Sequence, residues 1–297
     1  MTLGAPGTSL ADLARSRAEW RPWLDVLEAV REAARDPAWE SAVPTPASDA
    51  VPVLTGATVT VPARQLSRWL THLLNRAARG GGPAASLAAV ATADLDHLGD
   101  VFEAGLEQDA ERVTALADSL GADAGALQAV AAIAAVPLLR ACARRWAARL
   151  PPAWDAGHCP VCGGWPLLAE ARGLERTRRL RCGRCAADWA TAWLRCPFCD
   201  TREHERLGAL VAEDAPETRR VETCEVCRGY LKTITTLAAT PAEDLGLLDL
   251  TTVELDVAAV AAGYARPATP ACALGVRLVV TESRGWGLFA RRPGRRA

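Results

Sequence analysis

The sequence predicts an α+β protein: an N-terminal α-helical domain, two tandem four-cysteine metal modules of the rubredoxin-like or zinc-ribbon kind, and a short C-terminal helix. Three observations predict it. The first 158 residues carry apolar side chains at three- and four-residue steps and one cysteine, Cys142. The next 69 or so hold eight of the ten cysteines, in four Cys-x-x-Cys pairs set among short strand-like runs. Beyond them lies one further helical stretch. The expected divisions are 1–152 (helical), 153–195 (first module), 196–270 (second module with the C-terminal helix) and 271–297 (an Arg-rich tail).

The helical half begins at Ser9-Leu10-Ala11-Asp12, a capping signature, followed by Leu10, Leu13, Trp20, Leu24, Leu27 and Val30 on helical steps, with Pro22 dividing the run into two helices. A loop with Pro44, Pro46 and Pro52 follows. Pro62 then opens a helix with Leu66, Trp69, Leu70 and Leu73 on one face, ending at Gly80-Gly81-Gly82. Helical patterns cover roughly 84–105, 108–119 and 123–149, closed by Pro151-Pro152. The second half changes period. Strands are expected over 167–171, 177–181, 189–194, 207–213, 219–223 and 230–235. Trp189, Thr191 and Trp193 alternate with Ala190, Ala192 and Leu194, which predicts an aromatic face packed over a metal knuckle. Thr240-Pro241-Ala242-Glu243 reads as a second capping box, and 251–262 as a short helix stopped by Gly263.

Composition bounds the function. Half of the 297 residues are hydrophobic (50%) and 23% are charged, enough for a sizeable core and too apolar for a disordered chain. The 34 basic and 35 acidic residues leave a net charge of −1, which argues against a protein that coats nucleic acid. The longest Ala/Leu-rich run, Ala126 to Leu139, is shorter than the ~20 apolar residues of a membrane span and is interrupted by Gln128 and Pro137. The first residues, MTLGAPGTSLADLARS, carry no export signal, so a cytoplasmic location is expected. Arginine supplies 33 of the 34 cations, a codon-bias signature that makes single arginines weak evidence; Lys232 is the one lysine.

The cysteine pairs are Cys159/Cys162, Cys182/Cys185, Cys196/Cys199 and Cys224/Cys227. Two thiols separated by two residues can point at one ion from a tight turn, and two such turns complete a tetrahedral sulfur set. The intervals of 19 and 24 residues within the two sets suit hairpins that carry two knuckles each, with ten residues between the sets. A cross-braced scheme joining the first and third pairs stays open, and so does the choice between iron and zinc, since both accept four thiolates. Redox dithiols and disulfides fit less well, because the pairs do not open helices and a cytosolic chain keeps its thiols reduced. Cys142 reads as a small buried hydrophobe and Cys272 as incidental. With four sulfurs per site, His158 and His204, which lie beside knuckles, are left as neighbours rather than ligands. His72 and His97 carry no partner motif, and Glu170, Glu175, Glu203 and Glu205 show no paired-carboxylate logic. No catalytic constellation is found.

Taken together, His158-Cys-Pro-Val-Cys-Gly163, Leu180-Arg-Cys-Gly-Arg-Cys185 with Trp189, Cys196-Pro-Phe-Cys199, Glu222-Thr-Cys-Glu-Val-Cys227 with Tyr230-Leu231-Lys232, and the stretch from Asp249 to Arg266 ending Gly-Tyr-Ala-Arg resemble the formate dehydrogenase accessory protein family, FdhE. The resemblance covers roughly 158–267 motif by motif, and the helical half only in kind. It implies a cytoplasmic, non-enzymatic helper that binds the catalytic subunit of formate dehydrogenase before export. It also implies rubredoxin-like iron on the eight paired cysteines, with zinc as the alternative metal.

Two other readings compete with it. A four-sulfur iron site could make the chain a redox protein. The basic run Arg172 to Arg184, with Arg176, Arg178, Arg179 and Arg181 between, could instead serve a zinc-ribbon nucleic-acid-binding protein. Lys232 follows the last knuckle directly, where it is either an exposed strand residue or an ammonium near thiolates or a partner's carboxylate. Whether the chain forms a homodimer is left open by the sequence, and the tail from Ala271, with Arg284, Arg291, Arg292, Arg295 and Arg296, is expected to be solvated.

Overall fold

The computed structural model describes residues 9–151, 153–211 and 218–282. Its helical half follows the periodicity closely. Ser9 and Asp12 form a reciprocal capping box at the start of α1 (Leu10–Ser16), and a 3-10 turn at Ala18–Trp20 leads into α2 (Arg21–Arg35). Pro22 sits in the first turn of α2, where its missing N–H costs nothing. Pro62 caps α3 (Ala63–Ala78), whose Leu66, Trp69, Leu70 and Leu73 are buried as expected. After α4 (Leu87–Val90) come α5 (Leu95–Glu107), α6 (Ala110–Leu120), α7 (Ala124–Ala134) and α8 (Val136–Trp146). Asp94, Asp109 and Asp123 each accept a hydrogen bond from an amide in the first turn of α5, α6 and α7, caps not picked out in the sequence.

Two points correct the sequence expectations for this half. It contains a strand, β1 (Thr58–Pro62), just before α3. The stretch Ala124–Arg149 is also longer than the interrupted run suggests: its 26 residues are long and apolar enough, by length and composition, to cross a membrane. Pro137 lies in the first turn of α8 and does not end the helical path. Of the most apolar window, 67% is buried inside the fold, so these side chains serve the core. Helices α5 and α7 cross closely there. A Cβ on Gly105 would lie 2.2 Å from the carbonyl oxygen of Ala131, which only glycine tolerates.

The second half is one six-stranded sheet. Its strands are β2 (Pro166–Arg172), β3 (Thr177–Cys182), β4 (Asp188–Ala190), β5 (Leu207–Leu210), β6 (Arg219–Cys224) and β7 (Tyr230–Thr236), in the order β4-β3-β2-β7-β6-β5. The expected strands at 189–194 and 207–213 are shorter than read, and residues 212–217 lie outside the described residues. Each expected module supplies an antiparallel set, and the two sets are joined by parallel pairing of β2 with β7, from Leu168 opposite Lys232 to Arg172 opposite Thr236.

Beyond the sheet, the second capping box does not form. The Thr240 amide donates instead to Glu170 Oε1 at 2.9 Å, and the expected helix at 251–262 becomes α9 (Leu245–Leu250) and α10 (Val253–Ala261). The tail is not wholly solvated either, because β8 (Arg277–Thr281) pairs in parallel with β1. Arg284, Arg291, Arg292, Arg295 and Arg296 lie outside the described residues.

Lys232 overturns both readings made for it. It is fully buried, and its ammonium donates to the Asp249 carbonyl at 2.9 Å and to Asp256 Oδ2 at 2.7 Å, with Asp249 Oδ1 at 2.5 Å. Arg266 reaches the same two carboxylates and packs its guanidinium over Tyr230, whose hydroxyl donates to Asp256. Two cations and two anions cancel, which makes burial of so much charge tolerable. The Tyr-Leu-Lys and Gly-Tyr-Ala-Arg strings are thus one cluster that pins α9 and α10 onto β7.

Burial raises the Asp256 carboxyl, but hydrogen bonds from Lys232 and Arg266 outweigh it and hold the group below its ordinary value of 3.8. A depressed carboxyl contributes stability that is present above its unfolded pKa and lost as the pH falls through the folded one. Asp256→Asn should therefore cost stability near neutrality, and its deficit relative to the natural chain should shrink as the pH drops below about 4. Lys232→Met, which leaves Arg266 as the one cation for two carboxylates, should cost about 3 kcal/mol at pH 7. Urea unfolding of the metal-loaded chain at several pH values measures both.

Candidate metal centre

All eight paired cysteines gather into two tetrads. Cys159, Cys162, Cys182 and Cys185 form one group and Cys196, Cys199, Cys224 and Cys227 the other, with the sulfurs in each within 4.8 Å of one another. Adjacent pairs therefore combine, and the cross-braced scheme is excluded.

The four turns share one local geometry. The residue following each second cysteine has positive φ: Gly163 at 64°, Ala186 at 63°, Asp200 at 64° and Arg228 at 54°. In the first three, that residue's amide donates to the carbonyl of the first cysteine, at 3.0 Å in Gly163, 3.1 Å in Ala186 and 3.1 Å in Asp200. The left-handed turn aims both thiols of a pair to one side. Only the first knuckle uses glycine for it.

Across each tetrad the sulfurs are spaced for a tetrahedral ion. Cys159 and Cys185 lie 3.4 Å apart and Cys162 and Cys182 3.5 Å; in the second group Cys196 and Cys227 are 3.7 Å apart and Cys199 and Cys224 3.6 Å. Four sulfurs ~2.3 Å from one ion would sit ~3.8 Å apart, so the donor set fits a closed tetrathiolate site with a small contraction. No histidine joins either group among the described residues. His158 packs edge-on to Trp154 and Trp165, and His204 lies exposed in a 3-10 turn.

The two sites differ in their surroundings. The first is sealed: its four cysteines are buried against the helical half, and Arg184 donates to the carbonyls of Gly105 at 2.5 Å and Leu106 at 3.1 Å. The amides of Val53 and Leu54 bond the Pro160 and Val161 carbonyls of its first knuckle. Burial pushes the Cys159 and Cys185 thiols up, whereas hydrogen bonds from its three neighbours pull Cys162 well below the usual thiol range. The second site opens to solvent. Cys196 and Cys224 are buried, but Cys199 and Cys227 are exposed. Partial burial raises Cys199, yet hydrogen bonds from Thr201 outweigh it and bring the thiol to about 7. Burial leaves Cys227 at about 11.

The remaining cysteines have no place in either set. Cys142 is fully buried, and burial raises its thiol far above the ordinary range. Cys272 is partly buried beside the first site, where a Cβ on Gly163 would lie 2.7 Å from its sulfur.

The aromatic face read into 189–194 is split. Trp189 is buried and donates from its indole nitrogen to the Ala156 carbonyl at 3.0 Å. The strand ends at Ala190, so Trp193 turns elsewhere, with Arg220 4.9 Å and Arg178 5.9 Å from its ring centre. The basic run is largely spent on internal partners. Arg172 and Arg181 hold the fully buried Glu170, Arg172 and Arg179 hold Asp188, and Arg178 holds Glu222 at 2.7 Å. Burial raises the Glu170 carboxyl, but its hydrogen bonds outweigh this and keep it below 4.5. Spacing marked the cysteines plainly, but nothing in the local sequence distinguishes a solvated arginine from one aimed at Glu170.

No family model matches the chain. Among curated proteins, it is 35% identical over 117 residues to the FdhE homolog of Stutzerimonas stutzeri, covering 38% of this chain and 37% of that one. It is 35% identical over 80 residues to the homolog from Pseudomonas aeruginosa, covering 25% and 26%. The matched stretches thus span about a third or less of these relatives' own length. Among solved structures, the fold matches the crystal structure of the FdhE protein from Pseudomonas aeruginosa with a TM-score of 0.50 at 23% identity, over 88% of this chain and 91% of that one. In sequence and in fold, the chain matches FdhE proteins.

Ala186 pays for its left-handed conformation with steric strain of about 1 kcal/mol that glycine lacks. Ala186→Gly should leave the first site's metal content unchanged and raise the thermal midpoint by a few degrees, measured by calorimetry.

Proposed function

We propose that the chain is a cytoplasmic, non-catalytic accessory factor for the maturation of formate dehydrogenase, binding that enzyme's catalytic subunit before export and carrying one metal ion in each four-cysteine group. The observation that carries this reading is the coincidence of two thiol tetrads with likeness to FdhE proteins in both sequence and fold. The proposed organisation keeps a helical unit at 1–152 and modules at 153–195 and 196–270, with the tail at 271–297. Cys159, Cys162, Cys182 and Cys185 would hold one ion, and Cys196, Cys199, Cys224 and Cys227 the other.

We assign iron in rubredoxin-like coordination, with zinc as the alternative the same sulfurs accept. Four protein ligands leave no open position for a substrate, so a bound ion would serve structure or electron transfer. The exposure of Cys199 and Cys227 favours electron exchange at the second site as an additional role. The nucleic-acid reading loses its main support, because the arginines of 172–184 that carried it are mostly bound to Glu170, Asp188 and Glu222.

Deleting the protein should lower formate dehydrogenase activity while transcription of the catalytic subunit stays constant, and undiminished activity would overturn the reading. Protein purified without oxygen should show a visible sulfur-to-iron absorption band and two ions per chain; a colourless protein with two zinc ions would assign zinc. Burial also separates the sites kinetically. A chelator should remove one ion quickly and the other slowly, and Cys199→Ser with Cys227→Ser should abolish only the fast phase.

A further inference from the structure

One face of the sheet carries groups that neither the metal sites nor the core employs. The register sets Ala171 of β2 beside Thr235 of β7, and Thr233 of β7 beside Arg220 of β6. With Arg176, at the turn between β2 and β3, and Trp193 they line a cavity of about 250 Å³. A second cavity, of about 240 Å³, is lined by Leu194, Phe198, Leu207 and Leu231, and reaches Cys196 and Cys224 of the open metal site. Trp193 and Arg220 line both, so the two cavities adjoin across the indole as one candidate cleft.

The first cavity has cations without an anion. Its lining holds two guanidinium groups and no carboxylate. Arg220 reaches Glu222 Oε1 only at 3.4 Å, while Arg178 holds the other oxygen, Oε2, at 2.7 Å, and the buried Arg220 Nε has no partner. Arg176 is exposed, at φ 50°, and forms no ion pair among the described residues. Thr233 is 2% exposed, and its hydroxyl has no hydrogen-bond partner. A buried hydroxyl left unpaired is uncommon and marks a place where a partner is wanted. The second cavity offers an apolar wall of Leu194, Phe198, Leu207 and Leu231, with the paired Arg178 and Glu222 also on its lining. A nucleic-acid backbone would need a row of free cations, and the neighbouring arginines are already committed.

We propose that this cleft is a docking site for a protein segment that places an Asp or Glu carboxylate beside an apolar side chain. The carboxylate accepts from Arg220, Arg176 and the Thr233 hydroxyl in the first cavity. The apolar side chain lies against Phe198 and Leu231 in the second, with the Trp193 ring between them. The inference rests on the accessory-factor reading, since it takes the catalytic subunit of formate dehydrogenase as the partner. It places that partner against the open metal site and away from the sealed one.

The test uses the full, metal-loaded chain and two probes: the purified catalytic subunit, and an array of overlapping 15-residue peptides covering it. The natural chain should bind the subunit with an affinity that falls as salt rises. The bound peptides should pair an acidic with an apolar residue. Arg176→Glu and Arg220→Gln should each weaken binding by about tenfold or more, with both ions retained. Trp193→Ala should weaken the peptides as well. If Arg220→Gln loses its ions, Arg176→Glu, at an exposed turn, decides the matter. Variants that bind the subunit like the natural chain would overturn the cleft and leave the accessory reading standing. A natural chain that binds neither probe would overturn both.

Discussion

The parallel pairing of β2 with β7 is the constraint on which the rest of the structure depends. Each four-cysteine group closes its own antiparallel set, and sets this small lack the apolar area to hold themselves in place. Joining them edge to edge turns two hairpin modules into one sheet with two large faces. It also removes two edges that would otherwise present unpaired backbone groups. With the edges joined, the metal groups become fixed points of one body, and alternation along β2, β3, β6 and β7 decides what each face carries.

One face carries charge inward. Glu170 and Lys232 lie two register positions apart on it, both fully buried; Lys232 is satisfied by groups from beyond the sheet, and Glu170 by two arginines of β2 and β3 together with the chain after β7. Glu170 takes Arg172, Arg181 and the Thr240 amide, while Lys232 takes Asp249 and Asp256 together with Arg266. Buried ion pairs contribute little net stability against well-packed apolar alternatives, but breaking one strands a charge. Their effect here is on position: the chain after β7 has one arrangement in which all these groups are paired, and α9 and α10 lie in it. The opposite face leaves Arg220, Thr233 and Trp193 beside open space.

The asymmetry of the two metal groups follows from the same geometry. The first knuckle is gripped by backbone bonds from Val53 and Leu54, and the second by Arg184 on the end of α5, so the helical half seals that site. The second group lies towards the other end of the sheet, next to β5 and β6, with Cys199 and Cys227 exposed. Identical ligand chemistry thus sits in a dry setting and in a wet one. An ion in the dry site would be held by the fold as well as by its ligands, whereas one in the wet site is open to chelators, oxidants and a partner.

Features written in short-range spacing were legible in the sequence alone. Cys-x-x-Cys needs only a tight turn to aim two thiols together, and the helical faces need only a period of 3.6, so the four cysteine pairs and the helix order followed from local rules, whereas the tertiary structure decided which pairs combine. Ser9 with Asp12 behaved as its pattern demands, because Arg15 takes the Oδ1 of Asp12 and leaves Oδ2 to the Ser9 amide. Thr240-Pro241-Ala242-Glu243 carries a similar pattern and failed, since Glu170, 70 residues earlier, takes the Thr240 amide first. Lys232 looked like a strand residue beside a knuckle, and Arg277–Thr281 like part of a solvated tail. Their environments are set by Asp249, Asp256 and β1, which no window around them contains. Local pattern determines which turns and helices form, because their energies come from neighbours in sequence. Which charges are buried, which strands pair and which metal group faces solvent are decided by long-range burial and charge pairing, and those exist only once the chain has closed on itself.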